Sequence, residues 1–335
     1  MNKQYLRTIG DGLLPAIAYG DAAGLPVETK SHQQIAAKYG VIDGLIASRE
    51  NPFYMGEFTP GTWSDDTQLS MAVTRALVRA GRFDMRAIAD EHVAEYNQTP
   101  QIVRESGQVV KRGWGGSTTR AVERYMAGVP VAECGEPAGA GNGVIMKLAP
   151  LAYWLITHST ADDQAYRQLD AFTAFTHGSF EARVATRVHY DMLLYLATEA
   201  YDTREFGALP YTSALWHEAQ LDKHSNDVSH TLRYLMADDE QSTERILHHT
   251  DGKGFYVPET LAMAYGAFML HDGDFTRSVY EAVNLGGDTD STASIVAAMS
   301  LFRHGRIKER PGDFTQTLSH DELSKLSHQL VEAAA

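Results

Sequence analysis

Two short acidic segments stand more than two hundred residues apart in the chain, Ser64-Asp65-Asp66-Thr67-Gln68 and Gly286-Gly287-Asp288-Thr289-Asp290-Ser291. Each precedes a helix-period stretch, and a helix cap is the simple explanation: Ser and Asp are favoured at that position, and Asp65 with Gln68 has the spacing of a capping box. One cap needs one carboxylate, however, and four occur here in two apolar settings, with no Lys or Arg inside either segment. Buried charges are costly unless paired or coordinated. A divalent cation would neutralise them, and carboxylate and hydroxyl oxygens without His or Cys suit Mg²⁺ or Mn²⁺ rather than Zn²⁺. The candidate metal ligands are Ser64, Asp65, Asp66, Asp288, Asp290 and Ser291. Together they exceed what one Mg²⁺ ordinarily takes from protein, so two Mg²⁺ (or Mn²⁺) ions sharing a bridging carboxylate use them better. Such a pair can polarise a substrate oxygen and position a water.

Two glycine-rich segments could bring backbone close to a ligand. Gly113-Trp114-Gly115-Gly116-Ser117-Thr118-Thr119 opens a helical stretch, and its amides could cradle a phosphate at the positive helix end; ordinary loop geometry explains the glycines as well. Gly139-Ala140-Gly141-Asn142-Gly143-Val144-Ile145-Met146-Lys147 reads as a flexible turn before an apolar run, with Met146 as core filler. Neither fits a P-loop or a dinucleotide fingerprint, because the flanking strands are missing. Glu28 is either a carboxylate over a site or a solvated loop charge, the latter being the simpler reading. His177 either donates to an anion or merely caps and packs.

The elements that must position these residues are helical. Apolar residues at Leu69, Val73, Ala76, Leu77 and Ala80 mark one face of a helix, with Gly81 as its stop. Similar patterns predict helices over Ser117–Ala127, Phe180–Thr198, Pro258–Leu270, Phe275–Asn284 and Ser291–His304, and a short one from near Leu13 towards Gly24. No series of alternating Val/Ile/Thr-rich strands is evident, so the fold class is all-α. A site shared by both acidic segments requires the two ends of the chain to pack together, which predicts a single domain over 1–335. Residues 30–63 and 201–257 read as irregular surface.

Composition narrows the function further. The formal charge of −14 opposes general binding to nucleic acid or anionic lipid. Cys134 is the only cysteine, so an intramolecular disulfide and a thiolate zinc site are both out of reach. No signal-like start and no bilayer-length apolar run occur, which points to a cytoplasmic protein without a membrane partner.

In order along nearly the whole chain, Gly20-Asp21-Ala22-Ala23-Gly24 with Glu28, Ser64-Asp65-Asp66-Thr67, Gly115-Gly116-Ser117, Gly141-Asn142-Gly143, Thr176-His177 and Gly286-Gly287-Asp288-Thr289-Asp290-Ser291 resemble the motifs of the ADP-ribosylglycohydrolase family. The last, paired with the early aspartates, is the most specific. The resemblance implies a compact orthogonal helical bundle with two Mg²⁺ or Mn²⁺ ions on Ser64, Asp65, Asp66, Asp288, Asp290 and Ser291. It implies ADP-ribose contacts near Gly115, Gly116, Ser117, Asn142, Gly143 and His177, and it sets Glu28 where the family has its loop glutamate over the scissile bond. Glu28, Asp65 and Asp66 would then be catalytic, and the substrate an ADP-ribosylated protein, arginine-linked by preference, or a small ADP-ribose conjugate. A related nucleoside hydrolase and a non-catalytic, crystallin-like binding protein on the same scaffold are the alternatives. Ser291 stands where many relatives have Thr, Ala23 and Lys147 where Leu and Arg are usual, and the helix after Ser291 is bulkier than is common. Residues 30–60 and 201–257 match no motif and are the segments expected to choose the aglycone.

Overall fold

The first helix sets the frame for the site. Asn2 accepts from the backbone N–H of Gln4 and Tyr5 at 2.9 and 3.3 Å, capping a helix α1 (Lys3–Gly24) that is buried over most of its length. It therefore begins about ten residues before the stretch expected from Leu13. The signal was present, since Leu6, Ile9 and Leu13 fall at helical spacing after a good cap residue. Burying Ile9, Leu13, Leu14 and Ile17 contributes roughly 1.5–3 kcal/mol per side chain, and truncating Leu13 to Ala would cost about 2–5 kcal/mol.

The computed structural model describes residues 2–47, 51–52, 58–103, 107–198, 202–222, 225–236 and 241–335. After α1 come α2 (His32–Tyr39), α3 (Asp65–Ala80) and α4 (Met85–Gln98), then an antiparallel hairpin of β1 (Gln101–Val103) and β2 (Val109–Lys111). The chain continues through α5 (Gly116–Met126), α6 (Ala149–Thr157), α7 (Asp162–Thr176), α8 (Phe180–Leu196), α9 (Thr203–Gln220), α10 (Asp227–Leu232) and α11 (Thr243–His249). It ends with α12 (Val257–Leu270), α13 (Phe275–Leu285), α14 (Thr289–His304) and α15 (His320–Ala333). Among the described residues the fold is all-α apart from the hairpin. Among the described residues no helix is long and apolar enough to cross a membrane.

The helices with clear stops end where the periodicity puts them, within two residues. Gly81 and Gly305 both adopt left-handed conformations, at φ 60° and 68°, and end α3 and α14. The expectation of irregular structure over 30–63 and 201–257 is corrected in its described parts. Ser31 and Gln34 form a capping box for α2, and α9, α10 and α11 fill much of the second stretch. The inner face of α9 carries Ser213, His217 and Glu218, all buried. They hydrogen-bond to Asp191 and Ser229 and interrupt the apolar contacts that Phe206 and Ala214 make on the same face, which weakens the hydrophobic periodicity there.

One apolar cluster runs from Leu6 to Val331 and unites α1 with α14 and α15. The approach of α1 to α14 is set by glycine: a Cβ on Gly24 would overlap the backbone of Thr289 and Asp290. That contact brings the C-terminal end of α1 against the first turn of α14. A smaller apolar cluster, including Leu69, Trp114, Met146 and Phe175, joins α3, the glycine segment before α5 and the end of α7.

Candidate metal centre and cleft

Asp21, on the last buried turns of α1, holds the start of α3. Its carboxylate accepts the Ser64 N–H at 2.8 Å, the Thr67 N–H at 3.0 Å and the Thr67 hydroxyl at 2.6 Å. A carboxylate at a helix N-terminus also meets the positive end of the dipole. Burial raises its pKa to about 6 against the lowering effect of those hydrogen bonds.

With α3 so fixed, the two acidic segments meet. Oδ2 of Asp66 accepts from the hydroxyls of Ser64 and Ser291, each at 3.2 Å, and Oδ1 accepts from Ser294 at 3.0 Å. Asp288 is held from the other side. Its N–H donates to the Lys253 carbonyl at 2.7 Å, and its Oδ2 accepts from Nδ2 of Asn142 at 2.7 Å. The paired glycines before it turn through left-handed conformations, and at Gly287, with φ 79°, a Cβ would lie 2.5 Å from the Lys253 carbonyl oxygen. Only glycine permits that turn at so close an approach.

Glu28 lies on the same wall. It is buried rather than a solvated loop charge, and it accepts from Nδ2 of Asn51 at 2.7 Å. One oxygen each from Glu28, Asp288 and Asp290 lie within 4.8 Å of one another. Among the described residues, Oδ1 of Asp290 is buried with no hydrogen-bond partner. None of Asp65, Asp66, Asp288 or Asp290 forms an ion pair with Lys or Arg among the described residues. Burial pushes the carboxyl groups of Glu28, Asp65, Asp66 and Asp290 well above the usual range, and the charges of their neighbours, Asp288 beside Glu28 and Asp66 beside Asp65, add to it. An orphaned buried oxygen among mutually repelling carboxylates and hydroxyls fits a divalent cation bound by oxygen.

These residues line a cavity of about 290 Å³ together with Gly113 to Thr118, Gly141, Asn142, Gly143, Met146, His177 and Phe255. Ser64 stands behind its wall and touches Asp66. Gly115 begins α5 without a side-chain cap, so the first-turn amides of that helix are not satisfied by a capping side chain. Trp114 is tied to α3 by its indole N–H, which donates to the Gln68 side chain at 2.9 Å. Gln68 is therefore a brace across to the glycine segment, held in turn by Glu95 and Thr99, rather than the capping-box partner of Asp65. Ser117 donates to Glu136 at 3.2 Å. His177 is buried, with Nδ1 2.8 Å from the Thr176 hydroxyl, and burial lowers its pKa to about 3, so it is neutral at ordinary pH.

Sequence reasoning assigned no role to the supporting residues. Asp21 carried a signal, an acid inside an otherwise apolar helical run. Ser294 lies one turn beyond Asp290 and Ser291 on the same helix face. Asn51 carried none. Lys147 is 1% exposed, its Nζ has no hydrogen-bond partner among the described residues, and burial lowers its pKa to about 7 while Asp65 and Asp66 pull it back up.

Comparison with known proteins follows the same outline. A family model described as ADP-ribosylglycohydrolase matches residues 10–335. The ADP-ribosylarginine hydrolase Tri1 of Serratia proteamaculans is 24% identical over 320 residues, which cover 95% of this chain and 78% of that one. The ADP-ribosyl-[dinitrogen reductase] glycohydrolase of Rhodospirillum rubrum is 29% identical over 148 residues, 44% of this chain and 45% of its own. Among solved structures, a chain of an ADP-ribosylglycohydrolase-related protein complex superposes with a TM-score of 0.68 over the full length of both, at 23% identity, which speaks for a shared fold.

Proposed function

The chain belongs to the ADP-ribosylglycohydrolase family, whose members hydrolyse bonds to ADP-ribosyl groups, and from that premise we propose that it cleaves the glycosidic bond between ADP-ribose and an arginine side chain with the help of two Mg²⁺ or Mn²⁺ ions. The observation that carries the reading is the meeting of Asp66 with Ser291 and Ser294 beside the unpartnered oxygen of Asp290. Ser64, Asp65, Asp66, Asp288, Asp290 and Ser291 would hold the ions. When bound, such ions polarise sugar hydroxyls and a water and offset the carboxylate charge.

The chain's own residues account for the rest. The open first turn of α5, with Gly115, Gly116 and Ser117, offers amide donors to the diphosphate, and the half-exposed Phe255 ring at the cavity edge offers a face to the base. Asn142 keeps Asp288 in place, while Gly143 and His177 form the wall behind the sugar. The carboxylates face the anomeric carbon, where positive charge develops as the bond breaks. Glu28 takes the proton of the attacking water as its oxygen bonds to that carbon; the C–N electron pair leaves with the guanidine nitrogen, which takes up the proton. A cationic guanidinium also suits an acid-lined cavity better than a neutral leaving group.

The test is a turnover screen with ADP-ribosyl-arginine, ADP-ribosyl-serine, O-acetyl-ADP-ribose and plain nucleosides, with and without added metal. Metal-dependent release of ADP-ribose from the arginine conjugate, lost in Asp288→Ala, is expected. Cleavage of nucleosides alone would move the substrate to the nucleoside class. Metal binding without turnover of any conjugate would make the protein a binder.

A further inference from the structure

The segment Arg303-His304-Gly305-Arg306-Ile307-Lys308-Glu309-Arg310 carries four cations and one anion in a chain whose formal charge is −14. Where it leaves α14 it borders a second cavity of about 220 Å³, which shares no residue with the acidic cleft. From Asp290 to Leu301 in its wall is about 16 Å along α14, at roughly 1.5 Å per residue.

Arg306 and Arg310 stand at this cavity with the hydroxyls of Thr8 and Ser324 and the imidazole of His320. Neither arginine has a carboxylate partner among the described residues. Arg310 is placed instead by the buried Phe314 ring, 5.1 Å below its guanidinium, and Phe314 meets His320 edge-on at 5.6 Å. The single acid in the lining, Asp11, is already engaged by His328 at 3.1 Å and by Arg7 at 4.0 Å. Two guanidinium forks without carboxylates, beside the Ser324 hydroxyl and above an apolar floor, match a tetrahedral oxyanion better than a cation or a neutral ligand; the Thr8 hydroxyl is committed to the Tyr5 carbonyl at 2.7 Å. At about 220 Å³ this cavity is smaller than the acidic cleft, which favours a smaller ligand.

We propose that this cavity is a second binding site, separate from the acidic cleft, for a phosphoryl group carried by a small organic body. Arg306 and Arg310 grip the phosphoryl oxygens, Ser324 donates to them, and Phe314 and Ile307 accept the apolar part. The inference does not depend on the reaction performed in the cleft.

The experiment follows the His320 ring resonances by NMR in the Mg²⁺-supplemented protein while inorganic phosphate, glycerol 3-phosphate or acetate is added. Both phosphates should give a saturable shift, and acetate at equal concentration little or none. R306A/R310A should weaken phosphate binding at this site by about tenfold or more, and Arg310→Lys, which keeps charge but loses the fork, by less. Hydrolysis in the cleft should stay within about twofold of the parent in both variants, since no cleft residue is altered. An unmoved His320 resonance, an equal response to acetate, or a phosphate shift that survives in R306A/R310A overturns the proposal. Should the double variant fail to fold, the parent titration and Arg310→Lys decide it.

Discussion

The hydroxyl of Ser294 donates to Oδ1 of Asp66 at 3.0 Å, closing a contact between α14 and α3 across 228 positions of sequence. It is the sole described hydrogen bond to that oxygen, whereas Oδ2 has two hydroxyl donors. Ser294→Ala should therefore let the carboxylate rotate while changing stability by only about 1 kcal/mol. Mn²⁺ affinity, measured by calorimetry, should fall about tenfold, as expected for a residue that orients a ligand. Unchanged affinity would mean that Ser64 and Ser291 suffice to hold Asp66.

Glu28→Gln keeps the shape of the side chain and an oxygen for the Asn51 amide to donate to. It removes the ability to take a proton. The expected result is a kcat lower by about 10²- to 10⁴-fold, with KM and Mn²⁺ affinity nearly unchanged. A collapse of Mn²⁺ affinity instead would place Glu28 among the ligands, which its closeness to Asp288 and Asp290 allows.

The residues differ in how far sequence alone could place them. Helices α3, α5, α8 and α12 to α14 combine a buried stripe with an identifiable start or stop, and their positions were legible. α9 was not, because the hydrogen-bonded His217 and Glu218 interrupt the apolar part of its buried face, Phe206 and Ala214. The β1–β2 hairpin has three residues per strand, too few for an alternating pattern to register. In the cleft, the aspartates announced themselves by excess charge in apolar surroundings. Asp21, Asn51 and Ser294 depend on which backbone comes near them in three dimensions, and a linear sequence does not contain that.

The buried acids give the metal-free protein a definite pH dependence. Asp21 is raised by burial from 3.8 to about 6, so between those values the native state holds a proton that the unfolded chain has released. Stability then falls as pH rises through that window, and Glu28, Asp65, Asp66 and Asp290, shifted the same way, extend the fall upward. Lys147 has the opposite sign: its pKa is lowered to about 7, so its penalty is relieved as pH rises from there towards 10.5. Melting curves should show a Tm that declines from about pH 4 to above pH 6 without metal and is markedly flatter with Mn²⁺ present. A flat metal-free profile would mean that the carboxylates do not repel one another as their burial implies.

The glycine contact between α1 and α14 allows a test of the geometry itself. A Cβ at Gly24 would strike the Thr289 carbonyl and the Asp290 amide, both backbone, so α14 would have to move at its first turn, where Asp288, Asp290 and Ser291 sit. At Gly12, on the same helix, the nearest atoms to the added carbon belong to the Leu301 side chain, 3.2 Å away, and not to backbone. Gly24→Ala should cost about 1–3 kcal/mol as overpacking does, and it should weaken Mn²⁺ binding as well. Gly12→Ala gains about 0.5–1 kcal/mol of helix propensity against a mild contact, leaving stability and Mn²⁺ affinity close to the parent values. Chemical denaturation and calorimetry on the pair separate the two effects. If Gly24→Ala loses stability but binds Mn²⁺ as tightly as the parent, the acidic cluster does not need the close approach of α1 to α14.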